Sequence, residues 1–303
     1  MTDNTQTEPV RLACTEVWGG NHKTDVVIER PGVDCRIYSR PFRDADQGGD
    51  VYYLSSCASG RLTRFVLADV CGHGEQVAET ASQLRSQMRR NMNRVRQSRV
   101  VESLNSEVVA SDNSGRFATA MVGTWLSSTS RLTLSNAGHP PPLLFRAANR
   151  SWQIADSPPG VRSVASDMPL GIDGRMLYTE SSLKLEHGDM LLCYTDALCE
   201  AADALGEMLM PRGLLDLVRS LDSGSPDSLI RQLLERIDSL NAGNLSRDDL
   251  TVLLLEATRR RPSLADSLKS PWRYLQGLIR SDADGGPQRT PAFPVVGDST
   301  TGK

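Results

Sequence analysis

Aromatic residues are scarce in this chain: 5 Phe, 4 Trp and 6 Tyr among 303 residues, or 5%. So few rings leave little from which to build base-stacking platforms for single-stranded nucleic acid. An excess of one charge is missing too. The 34 Lys and Arg nearly balance the 37 Asp and Glu, for a formal net charge of −3, so no overall positive field draws in a polyanion. No stretch approaches the roughly 18 consecutive apolar residues of a membrane-spanning helix. The opening Met1-Thr2-Asp3-Asn4-Thr5-Gln6 lacks the apolar core of a secretory signal. The 6 cysteines (Cys14, Cys35, Cys57, Cys71, Cys193 and Cys199) contain no Cys-x-x-Cys pair, which argues against a zinc site and a disulfide framework. These absences exclude a nucleic-acid coat, an integral membrane protein and a small secreted scaffold. A cytoplasmic globule with reduced thiols is the expectation that remains.

Texture along the chain marks three parts. Residues 1–10 are polar and read as a flexible start; residues 11–257 alternate strand-like and helix-like patterns; residues 258–303 open on Arg259-Arg260-Arg261-Pro262 and turn rich in Ser, Asp, Gly and Pro, the composition of a mostly disordered tail. Within the tail, residues 271–280 carry Trp272, Leu275, Leu278 and Ile279 at helical spacing, enough for a short helix. In the body, Val51 to Leu54 and Arg64 to Ala68 predict a hairpin turned at Ser59-Gly60. Ala78, Ala81, Leu84, Met88, Met92 and Val95 predict a helix over 75–97. Val101, Leu104 and Val108 predict a second one ending near Asn113-Ser114-Gly115. Strands are expected at 117–126, 130–136, 142–146, 152–154, 176–185 and 190–195, with a closing strand at Thr251 to Leu255. Ser225-Pro226-Asp227 combines a cap acceptor, a first-turn proline and an anion at the positive end of a helix. Strands in runs with helices in pairs favour an α+β fold with antiparallel sheets over strict βαβ alternation.

Chemistry is suggested by aspartates at the ends of these strands. Asp50 follows Gly48-Gly49 and starts a strand, Asp69 ends one, Asp196 ends another, and Asp248-Asp249 precedes the last. Strand ends in a stacked pair of sheets converge on one rim, and clustered carboxylates there require a hard cation. Oxygen-only ligands suit Mg²⁺ or Mn²⁺ rather than zinc. Each of these aspartates alone is equally consistent with an ordinary turn or cap residue.

Taken in order, the motifs resemble a known family. Gly48-Gly49-Asp50, Ala68-Asp69-Val70-Cys71-Gly72-His73-Gly74, Arg116-Phe117-Ala118-Thr119-Ala120, Asn136-Ala137-Gly138-His139-Pro140-Pro141-Pro142-Leu143, Pro169-Leu170-Gly171-Ile172, Tyr194-Thr195-Asp196-Ala197-Leu198-Cys199-Glu200-Ala201 and Asp248-Asp249-Leu250-Thr251 are similar to the bacterial protein phosphatase 2C-like phosphatases of the sporulation stage II protein E and RsbU branch. The resemblance implies an α-β-β-α sandwich of two antiparallel sheets flanked by helices. It also implies a serine/threonine phosphatase with two divalent cations, Mn²⁺ or Mg²⁺, at one edge. Carried over by position, Asp69 would bridge both metals, Val70 would ligate through its carbonyl, and Asp196 and Asp248 would hold the second metal. Asp50 would reach the site directly or through water, and Asp249 would be a turn neighbour rather than a ligand. Two cations lower the pKa of a shared water from about 15.7 toward about 7, supplying hydroxide for in-line attack on phosphorus. His73 is the candidate for protonating the leaving oxygen, against the plainer reading of a histidine that orders its own loop.

The sequence departs from the pattern at Ala197 and Cys199, which replace the usual Gly and Thr, and at Cys71, which stands where Ser is usual and reads as a small buried residue. If position 197 requires a positive φ, alanine costs about 1 kcal/mol there. None of these deletes a candidate ligand. The implied substrate is a phosphorylated regulatory protein, such as an anti-sigma-factor antagonist in partner-switching signalling. Arg85, Arg89, Arg90, Arg94, Arg96 and Arg99 offer either a docking face for it or merely a solvated helix face. The alternative from another class is a catalytically weak pseudophosphatase that binds and sequesters such a partner. With 47 residues before Gly48 there is no room for a sensor domain, so the activating input is expected from a separate protein, from self-association as a homodimer, or from none. Neither nucleic acid nor an integral membrane segment is expected.

Overall fold

Strand alternation and two pairs of amphipathic helices account for the architecture of this computed structural model, which describes residues 14–57, 60–71, 75–91, 96–111, 116–155 and 167–260. In chain order the strands are β1 (Cys14–Gly20), β2 (Thr24–Arg30), β3 (Val33–Arg40), β4 (Asp50–Cys57), β5 (Leu62–Val70), β6 (Ala118–Leu126), β7 (Arg131–Ala137), β8 (Leu143–Arg146), β9 (Ser151–Ile154), β10 (Ser181–Lys184), β11 (Met190–Tyr194) and β12 (Leu250–Ala257). The helices are α1 (Glu75–Asn91), α2 (Gln97–Ser111), α3 (Met210–Arg219) and α4 (Pro226–Leu240). One antiparallel sheet runs β1-β4-β5-β6-β7-β10, and the other β2-β3-β12-β11-β8-β9. This is the α+β sandwich that the run of strands and paired helices predicts.

Period-two alternation assigns each side chain to a layer. In the first sheet Val51, Tyr53, Val66, Ala68 and Val70 face outward onto α1 and α2, where they bury Ala81, Leu84, Met88, Val101 and Leu104. Their neighbours Tyr52, Leu54, Phe65, Leu67 and Met121 face inward and meet Cys35, Ile37, Leu191, Cys193 and Leu253 of the second sheet. The outer face of that second sheet, including Leu192, Tyr194, Val252 and Leu254, packs on Leu214, Val218, Leu229, Leu233 and Ile237 of α3 and α4. Fully burying one such side chain stabilises the fold by about 1.5–3 kcal/mol, so each of the three apolar layers contributes heavily. Every position of the inward set that continues to the rim is therefore aimed into the gap between the sheets, and this parity governs the site.

Several elements differ from the sequence reading. Strands β1 to β3 are not foreseen, because charged residues interrupt their alternation: β2 is an edge strand with exposed Asp25 and Val27, and β3 carries Asp34, Arg36 and Arg40. Helix α3 is missed because Pro211 and Gly213 look like breakers, whereas Pro211 lies in the first turn, where its missing N–H costs no bond. The strand expected at 176–185 contracts to β10, while Met176 and Tyr178 leave the sheet and bury against α1 and α2. Helix α1 is described as far as Asn91, residues 92–95 lie outside the described residues, and Gln97, expected to close it, opens α2 instead. At α4 the Ser225 side chain makes no cap bond, and Asp227 instead pairs with Arg36 at 2.7 Å. Residues 258–260, assigned to the tail on composition, continue the pairing of β12: the Thr258 N–H donates to the Gly32 carbonyl at 2.9 Å, and Arg260 pairs with Glu29 at 2.8 Å. The helix expected at 271–280 lies outside the described residues, as does the rest of 261–303.

Gly123 marks the tightest point of the inner layer, since a Cβ there would sit 2.1 Å from the Phe65 ring. Gly123→Ala is expected to lower unfolding stability by about 1–3 kcal/mol through overpacking, measured by urea denaturation.

Candidate metal centre

The rim is built where β4, β5 and β6 of the first sheet meet the ends of β11 and β12 of the second. Register places Asp50 opposite Asp69 and Asp69 opposite Thr119, a row across three strands. By parity with Tyr52, Leu67 and Met121, all three face the gap between the sheets. From the other side, Thr195 follows β11 and Thr251 lies in β12, on the face that carries Cys193 and Leu253. The Thr195 hydroxyl donates to Asp50 Oδ2 at 2.9 Å, and the Thr251 N–H donates to Thr195 Oγ1 at 3.0 Å. Ser39 and Thr251 share a further hydroxyl–hydroxyl bond of 3.0 Å. Asp50 is thus buried, at 3% exposure, but held by hydroxyls from the opposite sheet.

Asp249 ties the loop between the sheets. Its two carboxylate oxygens accept from the Phe42 N–H at 2.6 Å and the Gly49 N–H at 2.5 Å. That explains Gly48-Gly49: a Cβ on Gly48 would fall 2.3 Å from Asp249 Oδ1, and one on Gly49 would meet Val77 at 2.8 Å and the Val70 carbonyl at 3.1 Å. The Val70 N–H donates in turn to the Gly49 carbonyl at 3.3 Å. Asp248 accepts from the Asp249 N–H at 2.8 Å. Asp196 opens a short 3-10 turn, Asp196–Leu198, and its carbonyl accepts from the N–H groups of Cys199 and Glu200.

Electrostatics single out the same residues. Burial first, then the charges of Asp196, Asp248, Asp249 and Glu200, push the Asp69 carboxyl up to about 7. Burial with Glu200 and Asp248 raises Asp196 to about 6, the backbone N–H groups around it pulling the other way. Asp50 is raised well above the usual carboxylate range by burial, Asp69 and Asp249, against the hydrogen bonds from the threonines. Every charged group that moves Asp69 is itself a carboxylate. Such a set of hard oxygen donors fits a divalent cation in chemistry and in charge. Among the described residues no group of three or more His, Cys, Asp or Glu side chains is already drawn together as a metal site.

The five candidate ligands, Asp50, Asp69, Val70, Asp196 and Asp248, therefore come to one rim from two sheets. His73 lies outside the described residues. Cys71 is exposed rather than buried, because it follows the end of β5, where the sheet no longer covers it. Ala197 has no positive φ, being part of the 3-10 turn, so it carries none of the strain that replacing a left-handed glycine would bring. The basic helix face is partly neutralised: Arg90 pairs with Glu107 at 2.8 Å and Arg99 with Glu102 at 2.8 Å, while Arg94 lies outside the described residues. Sequence reasoning gave Glu200, Thr195 and Thr251 no role. Glu200 is four residues beyond Asp196 and so returns to the same side of the turn, a signal available in the spacing. The threonines have no such signal, since their partners lie on the other sheet.

Two six-stranded antiparallel sheets between helix pairs, with carboxylates at the shared edge, define the class of fold: that of the PP2C phosphatase domains. The PP2C phosphatase domain of SpoIIE from Bacillus subtilis, solved with a fragment of its regulatory domain, has this fold, with a TM-score of 0.62 at 15% identity over 76% of this chain and 64% of that one. The RsbU and RsbW domains of a Mycobacterium tuberculosis protein give a TM-score of 0.65 at 24% identity over 86% of this chain and 71% of that one. In sequence, protein IcfG of Synechocystis sp. is 26% identical over 140 residues, which is 45% of this chain and 20% of the length of that curated relative. The family model of stage II sporulation protein E matches residues 59–258, and the chain belongs to that family.

Two substitutions separate the roles of the acidic residues. The Asp69 carboxyl is raised, so its ionisation costs stability, increasingly as pH rises through about 7, and the cost is relieved as pH falls below that. Asp69→Asn is expected to stabilise the metal-free protein at pH 8 by on the order of 1–3 kcal/mol, and to show none of the rise in melting temperature with Mn²⁺ that is expected of the wild type. Asp249→Ala leaves two N–H groups without acceptors and is expected to lower stability by about 1–3 kcal/mol with or without Mn²⁺. Differential scanning calorimetry at pH 6 and pH 8 checks both.

Proposed function

We propose that this chain hydrolyses phosphoserine or phosphothreonine in a regulatory protein, with Asp50, Asp69, the Val70 carbonyl, Asp196 and Asp248 holding two divalent cations, Mn²⁺ or Mg²⁺. The observation that carries the reading is the convergence of carboxylates from two sheets on one rim, where Asp69 and Asp249 raise the pKa of Asp50, Asp196 and Asp248 raise that of Asp69, and Asp248 raises that of Asp196. Bound there, the cations supply an activated water and a Lewis-acid hold on the phosphoryl oxygens. The protein's part is positional. Thr195 and Thr251 hold Asp50 in place through the opposite sheet. Asp249, occupied by backbone N–H groups, fixes the loop that brings Gly49 against Val70. Asp69 sits between the two halves, where it shares its field with Asp196 and Asp248.

The likeness to RsbU and SpoIIE domains supports a phosphorylated anti-sigma-factor antagonist, or a similar small regulator, as the substrate, and a role in partner switching. Among the described residues no helix is long and apolar enough to cross a membrane.

Because the raised carboxyls of Asp69 and Asp196 must lose protons before ligating, Mn²⁺ affinity is expected to rise between about pH 6 and pH 8, with proton release on binding. Isothermal titration in two buffers of different ionisation enthalpy measures both. With a phosphopeptide or an aryl phosphate, hydrolysis is expected to require Mn²⁺ or Mg²⁺ and to stop with a chelator. Asp69→Asn and Asp196→Asn are each expected to retain less than about one hundredth of the wild-type rate. Undiminished hydrolysis by Asp69→Asn would sink the reading. Partner binding without any metal-dependent turnover would identify a pseudophosphatase instead.

A further inference from the structure

His139 stands just behind the rim and has no part in the mechanism above. It is 4% exposed and belongs to no helix or strand. Its backbone is clamped by a single residue: the His139 N–H donates to Asn136 Oδ1 at 2.7 Å, and Asn136 Nδ2 donates to the His139 carbonyl at 2.8 Å. Gly138, at φ +69°, turns the chain there against Pro169, leaving no room for a Cβ. The ring is placed as firmly. Nδ1 lies 2.8 Å from the hydroxyl of Thr119, the residue opposite Asp69 on the same face of the first sheet. Nε2 is enclosed and makes no hydrogen bond, and two residues further on the Tyr194 hydroxyl donates to the Pro141 carbonyl at 2.8 Å, tying the turn to the second sheet. Tyr194 ends β11 on the second sheet, two residues before Asp196.

Burial pushes the imidazole pKa down to about 3, with only the Tyr194 backbone opposing it. A ring that stays neutral does not shuttle protons at neutral pH. What it offers is one hydrogen-bonding nitrogen, Nδ1, held at a fixed place against Thr119.

We propose that His139 is a positioning residue for the metal centre: its Nδ1 holds the Thr119 hydroxyl beside Asp69, the turn it belongs to is held to β11 by the Tyr194 hydroxyl, which donates to the Pro141 carbonyl at 2.8 Å, and it so sets the separation of Asp69 on one sheet from Asp196 on the other. The idea rests on the metal-dependent reading above and deepens it. Asp69 and Asp196 come from strands with no backbone hydrogen bond between them, since β5 and β11 lie in different sheets. Their spacing depends on side chains that cross the gap, and the turn of His139 and Pro141 bonds the neighbour of one and the strand of the other.

The test measures Mn²⁺ binding by electron paramagnetic resonance titration of free Mn²⁺, without turnover, beside kcat and KM for an aryl phosphate. For His139→Leu and for Thr119→Val the expected result is about a 10-fold weaker Mn²⁺ affinity, in the range seen when partners of metal ligands are removed. The double variant is expected to be no worse than either single one, because both break the same link. Thr119→Ser, which keeps the hydroxyl, is expected to bind Mn²⁺ like the wild type. The lost rate is expected to return at high Mn²⁺ with KM for the aryl phosphate unchanged. Should His139→Leu fail to fold, the Thr119→Val and Thr119→Ser pair decides from the other end of the bond. Wild-type Mn²⁺ affinity in Thr119→Val, or equal losses in Thr119→Val and Thr119→Ser, overturns the proposal while leaving the metal-dependent reading intact. A wild-type protein that binds no Mn²⁺ overturns both.

Discussion

Like charge buried at the junction of two sheets is the constraint on which the rest of this structure depends. Asp50 comes from one sheet and is held by Thr195 and Thr251 of the other, so the hydrogen bonds that make its burial tolerable are also what join the sheets at the rim. A buried carboxylate with no donor is costly. One with donors only from the opposite layer makes the site and the sandwich interdependent. Asp249 repeats the device on the connecting loop, converting two backbone N–H groups into a staple between β3 and β4. Away from the rim the same gap is filled by Cys35, Ile37, Leu54, Phe65 and Leu253, so polar contacts are concentrated where the chemistry is.

This arrangement trades stability for function. Asp69 and Asp196 are raised toward neutrality by burial and by neighbouring carboxylates, Glu200 and Asp248 acting on both, and nothing cationic among the groups that shift them relieves the strain. Such a cluster is unfavourable as a structural element and favourable as a receptacle for hard cations, because the ion's charge offsets a penalty the fold has already incurred. The helices take no direct part. Their role is to bury the outer faces of the sheets, which leaves the inward parity of each strand to decide what reaches the rim.

Much of this was legible in the order of residues. Gly-Gly-Asp before a strand, Asp at the end of one and Asp-Asp before the last are local patterns, and a strand end is a local event. The hairpin of β4 and β5, helices α1, α2 and α4 and the closing β12 follow from periodicity and turn residues. What periodicity missed was edge or interrupted: β2 with its exposed face, β3 with charges inside it, and α3 behind a proline that a first turn tolerates. Cys71 was misread because a residue just past a strand end looks apolar in sequence, while its exposure depends on whether another layer covers it.

The sequence by itself determined which residues carry charge at strand ends, and through the alternation of each strand which of them share a face. It did not determine their partners. That Thr195 answers Asp50, that Glu200 joins the field on Asp69, and that the turn of His139 and Pro141 joins Thr119 to Tyr194 are consequences of stacking one sheet on the other. Those pairs are up to 145 residues apart in the chain, and no local pattern encodes them. Only the packing of the inner apolar layer brings them together, because the sheets adopt the spacing and rotation that fill that layer, and the polar rim inherits whatever geometry results.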